Sequence, residues 1–524
     1  MNNEIYILKT ACLLHDPPTK AWDICKRKNH EERAEDIANK VLKDSALKSA
    51  KDNLKNDKVK KSDYLASSVD RWLLSKIVGE DYHKFPFYKI KIKNIFNPSF
   101  SQIIEDDPPD KKVDEFARRL NEVVKAVQDP RLAYHVLYAC YEPLWVMNGL
   151  PSSPADTRTP SHSVFDHNYA TASMINWFLR EENLKGVLLY IDLGSVQKFI
   201  ASSRKLSDLW LSSYFVSALA WSIFWTFIKA LGPDVMVLPT CRGNPFYYHS
   251  LISELVASKT DRNVVEEIKN ISREFADYDP DKDNIPKYAI VPATATLILP
   301  ELDELKKLEP FKELKDLKDL ENFVKEKYEE IWSKIYNKII EKCESSDVQK
   351  ELGDLAVNAG KLLKVCKKFN FDKTPPLPIR VIALHTDKLG GFGLKEDSYS
   401  LYHYMFKLLA YEEGKRKIYK FKPEEDLDLF SMTSQCVLES WPKKSNKGFE
   451  YCTVCGTLPA VISLPSEENE YKKYLDIKIE PIFGLGERLC PYCLIKRLLT
   501  REEILKPIMD ELLGKISDEP LNHR

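Results

Sequence analysis

Net charge is the first thing this chain lacks. Its 524 residues carry 78 Lys and Arg against 79 Asp and Glu, a formal balance of −1. Bulk electrostatics therefore gives no argument for nucleic-acid or membrane binding, which would have to rest on local basic patches. No apolar run reads as a membrane span. The nearest, LWLSSYFVSALAWSIFWTFIKALG, is punctuated by Ser and reads as a buried helix pair or one long core helix. The N-terminus shows no targeting signal, so a cytoplasmic protein without a membrane partner is expected. Glutamine is scarce while Lys, Glu, Ile and Tyr abound, a bias seen in proteins from hot environments. The 11 cysteines are an odd number in a long chain, which argues against a secreted disulfide framework. Neither an internal repeat nor a low-complexity tract is evident.

The length exceeds what one hydrophobic core supports, so several domains are expected. Residues 1–183 read as mostly helical, with apolar positions at helical spacing between charges and Pro-containing loops near Pro86 and at EDDPPDKK. From residue 184 the pattern changes. VLLYID is a short strand-like run, followed by Gly194 and an amphipathic helix, and further strands are expected at VMVLPT, YAIVPATATLILP and LPIRVIALHT. Strands interleaved with helices indicate a multidomain α/β architecture. Residues 301–370 form a Lys/Glu/Leu-rich helical insert within a second domain spanning 184–440. Residues 441–524 hold two cysteine pairs and a C-terminal helix, LIKRLLTREEILKPIMDELLGKI.

Six of the ten histidines fall at or before residue 167. His15 and Asp16 sit in LLHDPPTKAW, Asp63 in SDYLASSVDRW and His167 in PSHSVFDHNYATASM. Pro17 disfavours helical geometry at Asp16, so the His-Asp pair ends a helix and can aim into a cleft. Asp63 and Asp70 are nearly in phase on one helical face, and His162 and Asp166 are in phase at i, i+4 if their helix starts early enough. Imidazole with carboxylate holds a divalent transition metal and leaves water free to react. If His15, Asp16, Asp63 and His167 converge, the first domain is a metal-dependent phosphoester hydrolase, and mixed N and O ligands suit Mn, Ni, Co or Fe better than Mg. Cys452 and Cys455 in CTVC, with Cys490 and Cys493 in CPYC, supply four thiolates for a closed structural zinc site, the alternative being redox-active or unliganded thiols.

The three His/Asp segments resemble a circularly permuted HD phosphohydrolase, with His-Asp leading and the Asp-His…Thr-Ala segment last. That resemblance implies His15, Asp16, Asp63 and His167 as metal ligands, and His30, His162 and Asp70 as lesser candidates for a second metal or for the residues surrounding the ligands. It also places Lys20 against a phosphate. Taken with YIDLGSVQKFIASSRKLSDLW and RGNP (Arg242 to Pro245), the chain resembles the large signature subunit of type III-B (Cmr-type) CRISPR effector complexes, the Cas-ten or Cmr-two family. The resemblance implies an all-α permuted HD domain, a ferredoxin-like Palm (cyclase-like) α+β domain with a helical insert, and a four-cysteine zinc-binding segment.

A second Palm with a Gly-Gly-Asp-Asp hairpin should follow in that family. KLGGFGLKED lacks the paired acids and the chain stops at Arg524, so cyclic oligoadenylate synthesis is not expected from this chain alone, and a companion chain could carry the second Palm. Asp192 ends a strand, where an acid either binds metal or serves the turn. The implied function is metal-dependent cleavage of single-stranded DNA in an RNA-guided complex with other Cmr-type subunits, crRNA and target RNA. The alternatives are a scaffold with a degenerate HD site, or a stand-alone HD nucleotide phosphohydrolase. Lys198, Arg204 and Lys205 form a small basic cluster that either touches nucleic acid or is ordinary surface charge.

Overall fold

The computed structural model describes residues 3–25, 28–67, 90–93, 97, 99, 101–104, 109–156, 162–179, 184–387, 450–470 and 483–516. The first stretch is a cluster of helices. α1 (Glu4–Leu14) is apolar almost throughout and buried on nearly every side, and it stops at His15 just before the Pro17-Pro18 pair. α2 (Lys20–Cys25) and α3 (His30–Val41) follow; the Asn29 side chain caps α3 by accepting from the Glu31 amide. Asn56 caps α4 (Asp57–Ala66) in the same way, through the Lys58 amide. Side-chain acceptors of this kind satisfy amides that have no partner within the helix.

A two-stranded antiparallel hairpin, β1 (Ile90–Lys93) with β2 (Ser101–Ile104), interrupts a region read as mostly helical, for which the family resemblance implies an all-α domain. Its IKIK sequence alternates apolar and charged residues with the two-residue period of a strand. Three further helices belong to the group among the described residues: α5 (Asp110–Lys125), α6 (Pro130–Met147) and α7 (Val164–Met174). α7 packs against α1 and α4, and α5 against α6.

The second module is a four-stranded antiparallel sheet in the order β4-β5-β3-β6. β3 (Gly186–Leu193) lies inside it, pairing with β5 (Thr294–Pro300) on one side and β6 (Ile379–His385) on the other, while β4 (Met236–Leu238) borders β5. All four strands lie within segments expected to be extended. Gly186 opens β3 where a Cβ would fall 2.3 Å from Trp177 Cδ1 and 2.6 Å from the Leu299 carbonyl oxygen, so only glycine fits. The short α8 (Val196–Ala201) leads into α9 (Leu206–Leu231). α9 is one helix of 26 residues, long and apolar enough to cross a membrane by length and composition, yet 78% of its most apolar window is buried inside the protein. α10 (Pro245–Ala257) and α11 (Arg262–Ala276) fill the β4-to-β5 connection. α12 (Leu317–Cys343) and α13 (Ser346–Cys366) pair with each other, and α12 lies against β6.

The helical group and the sheet module share one continuous apolar core. A buried ion pair pins them together: Lys9 Nζ on α1 lies 2.8 Å from Asp234 Oδ2, with both side chains fully buried, and donates to the Leu231 carbonyl at the end of α9. Asn176 and Ser173, at the end of α7, also hydrogen-bond Asp234.

The last segment contains β7 (Ile462–Ser463), β8 (Arg488–Leu489), α14 (Pro491–Leu498) and α15 (Glu502–Leu513). The single C-terminal helix expected from sequence is thus two helices, with the break at Leu499–Arg501, where Thr500 Oγ1 turns back to the Arg497 carbonyl. Lys496 Nζ donates to the Phe199 and Ser202 carbonyls at the end of α8, and Arg497 is buried between Asp208 and Glu487. These contacts fasten the segment to the sheet module. His249 on α10 fastens it further, with Nε2 2.8 Å from the Gly514 carbonyl oxygen and Nδ1 2.7 Å from the Tyr278 hydroxyl.

Candidate metal centres

Two groups of metal-capable side chains form among the described residues: His15 with Asp63 and His167, and the four cysteines Cys452, Cys455, Cys490 and Cys493. In each group the ligand atoms lie within 4.8 Å of one another.

The first group is assembled from three helices. His15 caps the C-terminus of α1, Asp63 lies in α4 and His167 in the first turns of α7. His167 Nε2 is 2.9 Å from Asp63 Oδ1, and His15 Nε2 is 3.7 Å from the same oxygen. Asp16 faces both rings, its Oδ2 lying 3.5 Å from His15 Nε2 and 3.6 Å from His167 Nε2. Lys20, one turn on, is ion-paired with that same Asp16 oxygen. His30 stands at the rim with Nε2 3.9 Å from Asp16 Oδ1, and the His162 ring centroid is 6.4 Å from that of His167. Asp70 lies outside the described residues.

His15 Nδ1 is 2.6 Å from the Cys12 carbonyl oxygen, an acceptor, so Nδ1 carries the proton and the lone pair sits on Nε2. That Nε2 points inward, is buried and has no hydrogen-bond partner. An orphaned imidazole nitrogen facing a second imidazole and a carboxylate is a donor set that fits a metal ion.

The electrostatics follow from burial among opposite charges. Burial pushes His15 down, but Asp16 and Asp63 outweigh it and the net shift is upward. His167 is lowered, mainly by burial. Burial favours protonation of Asp16 and Asp63, yet Lys20 and the histidines hold Asp16 below its ordinary value, and the histidines alone hold Asp63 well below the carboxylate range. Among the described ligand candidates the corner is most open at Asp63. The Asp63 side chain is 39% exposed, against 4% for His167 and 9% for His15.

His162 and Asp166 do not share a helical face. α7 begins at Val164, with Ser163 as its cap and Asp166 accepting from the Ser163 amide and hydroxyl. The spacing Ser-x-x-Asp was the signal for this capping box. It displaces His162 into the preceding loop. Arg242, from the loop after β4, was quoted from sequence only as part of a motif; it binds both Asp166 and Glu142.

Asp192 pairs with Arg380 across the β3–β6 ladder, where the two residues are in register. It belongs to neither metal-capable group. Lys198, Arg204 and Lys205 follow one another along the α8–α9 junction; Arg204 is exposed, while Lys205 is partly buried near Arg497 and lowered by that burial.

The four cysteines come from the turn at 452–455 and the start of α14. Cys455 Sγ and Cys490 Sγ are 3.7 Å apart, and the Cys493 amide points at Cys490 Sγ. Four thiolates at about 2.3 Å from one ion stand about 3.8 Å apart in a tetrahedron, so this spacing fits a closed four-sulfur site. Gly456, at φ 72°, lets the chain turn straight after the first pair.

Comparison with known proteins shows what the chain as a whole is similar to. Residues 188–337 match the family described as CRISPR-associated protein Cmr2, N-terminal. The CRISPR system CMR subunit Cmr2 of Saccharolobus solfataricus is 36% identical to this chain, over 97% of this chain and 50% of its own length. The Cmr subunit Cmr2 of Pyrococcus furiosus is 25% identical over 51% of this chain and 37% of its own. Among solved structures, the type III-B Cmr-beta complex in its apo state contains a chain that superposes with a TM-score of 0.75 and 32% identity, covering 97% of this chain and 50% of that one. The same complex bound to cognate target RNA gives a TM-score of 0.73 at 32% identity, over 98% and 50%. The chain therefore spans about half the length of these relatives.

Proposed function

The chain belongs to the Cmr2 family, and from that premise we propose that it serves in the large subunit of an RNA-guided type III-B CRISPR effector complex, its helical module acting as a metal-dependent nuclease on single-stranded DNA. The observation that carries the nuclease reading is the inward Nε2 of His15, which makes no hydrogen bond and lies beside His167 and Asp63. A divalent transition metal (Mn, Ni, Co or Fe) held there would polarise a phosphoryl oxygen and lower the pKa of a bound water. His15, His167 and Asp63 would be its ligands, with Asp16 close enough to add an oxygen. Lys20, ion-paired with Asp16 at the edge of the corner, would meet the phosphate charge of the incoming strand. The exposed flank of Asp63 is the side from which a strand could approach.

The remaining parts fit assembly. In chain order the sheet's strands run fourth-first-third-second, the order of a ferredoxin-like unit, which supports a Palm-like reading. Its acid at the strand end, Asp192, is ion-paired with Arg380 and belongs to neither metal-capable group among the described residues. Two-metal chemistry on a triphosphate needs paired acids, so this module is read as structural. The thiolate cluster would hold a structural zinc that secures a segment with little core of its own. The Cmr-beta complex, solved alone and bound to cognate target RNA, supports other Cmr subunits and target RNA as partners; crRNA is added on the family resemblance. Sequence selection would come from guide pairing.

The test is cleavage of labelled single-stranded DNA by purified protein with Mn or Ni, beside a His15→Ala, Asp16→Ala variant. Cleavage by the native chain and its loss in the variant are expected. Equal activity in both would remove the corner from the account. Association with guide RNA and subunits but no cleavage would leave a scaffold. Hydrolysis of nucleotides without DNA cleavage would indicate a stand-alone phosphohydrolase.

A further inference from the structure

Arg242 lies in the loop between β4 and α10, in the sheet module, yet its guanidinium is spent on the helical module. Nη1 binds Asp166 Oδ1, Nε is 3.0 Å from Glu142 Oε2 on α6, and Cζ sits 4.6 Å above the Tyr169 ring. Its partner Asp166 uses the other oxygen, Oδ2, to accept from the Ser163 amide and hydroxyl, each at 2.8 Å, and so closes the first turn of α7. The next residue is His167, whose Nε2 reaches Asp63. One carboxylate thus joins an arginine from the sheet module to the turn that aims a metal-capable imidazole.

Resting on the reading of His15, Asp63 and His167 as a metal site, we propose that Arg242 is a positioning residue for that site: by gripping Asp166 it fixes the first turn of α7, and with it the reach of His167. Tyr169, two residues beyond His167, stacks beneath the same guanidinium, so the arginine braces the turn on both sides of the imidazole. The forked guanidinium suits this task, since it can bind two carboxylates from different helices at fixed angles while lying on a ring; an ammonium is a point charge without that geometry. The consequence is that the affinity of the corner for metal depends on how the sheet module sits against α7.

The experiment titrates Mn2+ into the full chain and follows it by electron paramagnetic resonance, which reads the oxygen- and nitrogen-rich corner and not the thiolate cluster. Native protein, Arg242→Gln, Arg242→Lys, Asp166→Asn and the Arg242→Gln/Asp166→Asn double variant are compared, with His167→Ala for the site itself. Arg119→Gln is the control, because Arg119–Glu267 is another ion pair between the modules, joining α5 to α11 without touching α7. The expected result is a loss of Mn2+ affinity in Arg242→Gln of about tenfold, the low end of what removal of an outer partner of a metal ligand does. A changed Mn2+ spectrum, partial rescue in Arg242→Lys and a double variant no worse than the worse single one are also expected. Arg119→Gln should lower thermal stability and leave Mn2+ affinity as in the native chain. Native-like affinity and spectrum in Arg242→Gln, alongside loss in His167→Ala, would overturn the positioning role while leaving the metal site standing. Equal losses in Arg119→Gln and Arg242→Gln would overturn it too, by showing a general loosening. Failure of the native chain to bind Mn2+, or binding undiminished in His167→Ala, would sink the metal site and this inference with it.

Discussion

Replacing Lys9 by methionine should destabilise the protein far more than the loss of one surface charge. Lys9 and Asp234 have no exposed side-chain area, and their charged atoms are 2.8 Å apart. The Lys9→Met side chain fills similar volume but leaves Asp234 as a buried carboxylate facing neutral donors such as the Asn176 amide, 3.0 Å away. It also strips the Leu231 carbonyl of the donor it receives at the end of α9. Breaking one side of a buried pair costs about 3–5 kcal/mol, whereas removing both charges together is often nearly neutral. In modules of this size that corresponds to a melting temperature lower by roughly 10 °C. Differential scanning fluorimetry and urea unfolding followed by tryptophan emission would measure it. The Lys9→Met/Asp234→Leu double variant should regain at least half of the loss. A single variant within about 2 °C of the native chain, or a double variant showing the plain sum of two losses, would refute the reasoning, because then no uncompensated charge was being buried.

Three further outcomes are expected. The purified chain should carry about one zinc by elemental mass spectrometry, and Cys452→Ser should lose it together with amide protection in α14; full protection without metal would count against the thiolate site. Burial lowers His249 to about 4, while an unfolded histidine titrates near 6.5, so the unfolded chain binds the extra proton first. Its contribution of about 3 kcal/mol is complete above about pH 6.5 and is lost as the pH falls towards 4. His249→Gln should therefore flatten the pH dependence of urea unfolding in that window, and an unchanged slope would disprove it. Gly186→Ala should lower stability by about 1–3 kcal/mol, because the added methyl meets the Leu299 carbonyl oxygen and the Trp177 ring, neither of which can swing aside; an unaltered melting curve would contradict that.

The strands of the central sheet were legible because Gly, Pro and Asp bound short β-branched runs such as VLLYID and TATLIL. His15-Asp16 was legible because two prolines follow it at once and forbid the helix from continuing. The meeting of His15, Asp63 and His167 was legible only through a family resemblance, since nothing local to α1, α4 or α7 encodes their mutual approach. Three features went unread for physical reasons. The IKIK hairpin is too short to outweigh the helical periodicity around it. The break between α14 and α15 falls at Thr500, with neither Gly nor Pro to mark it. Asp166 was weighed as a partner for His162 on one helical face, when its spacing from Ser163 made it a cap. The grip of Arg242 on Asp166 joins residues 76 apart in sequence, and no pattern in either segment announces it.

The placement of β3 bears on how the polypeptide is made. Its two neighbours are β5 and β6, and the Asp192–Arg380 pair spans 188 residues. At a ribosomal pace of about 5–20 residues per second, β3 would wait roughly 10–40 s for its second neighbour to emerge. During that interval one flank of a strand rich in Val, Leu and Ile would be open to any passing extended chain. α9 emerges soon after β3 and is apolar enough to lie across its face, but a helix cannot satisfy the strand's outward amides. Newborn copies should therefore depend on a holding chaperone until β6 has left the ribosome, and polysomes stalled before that point should be the most prone to clump.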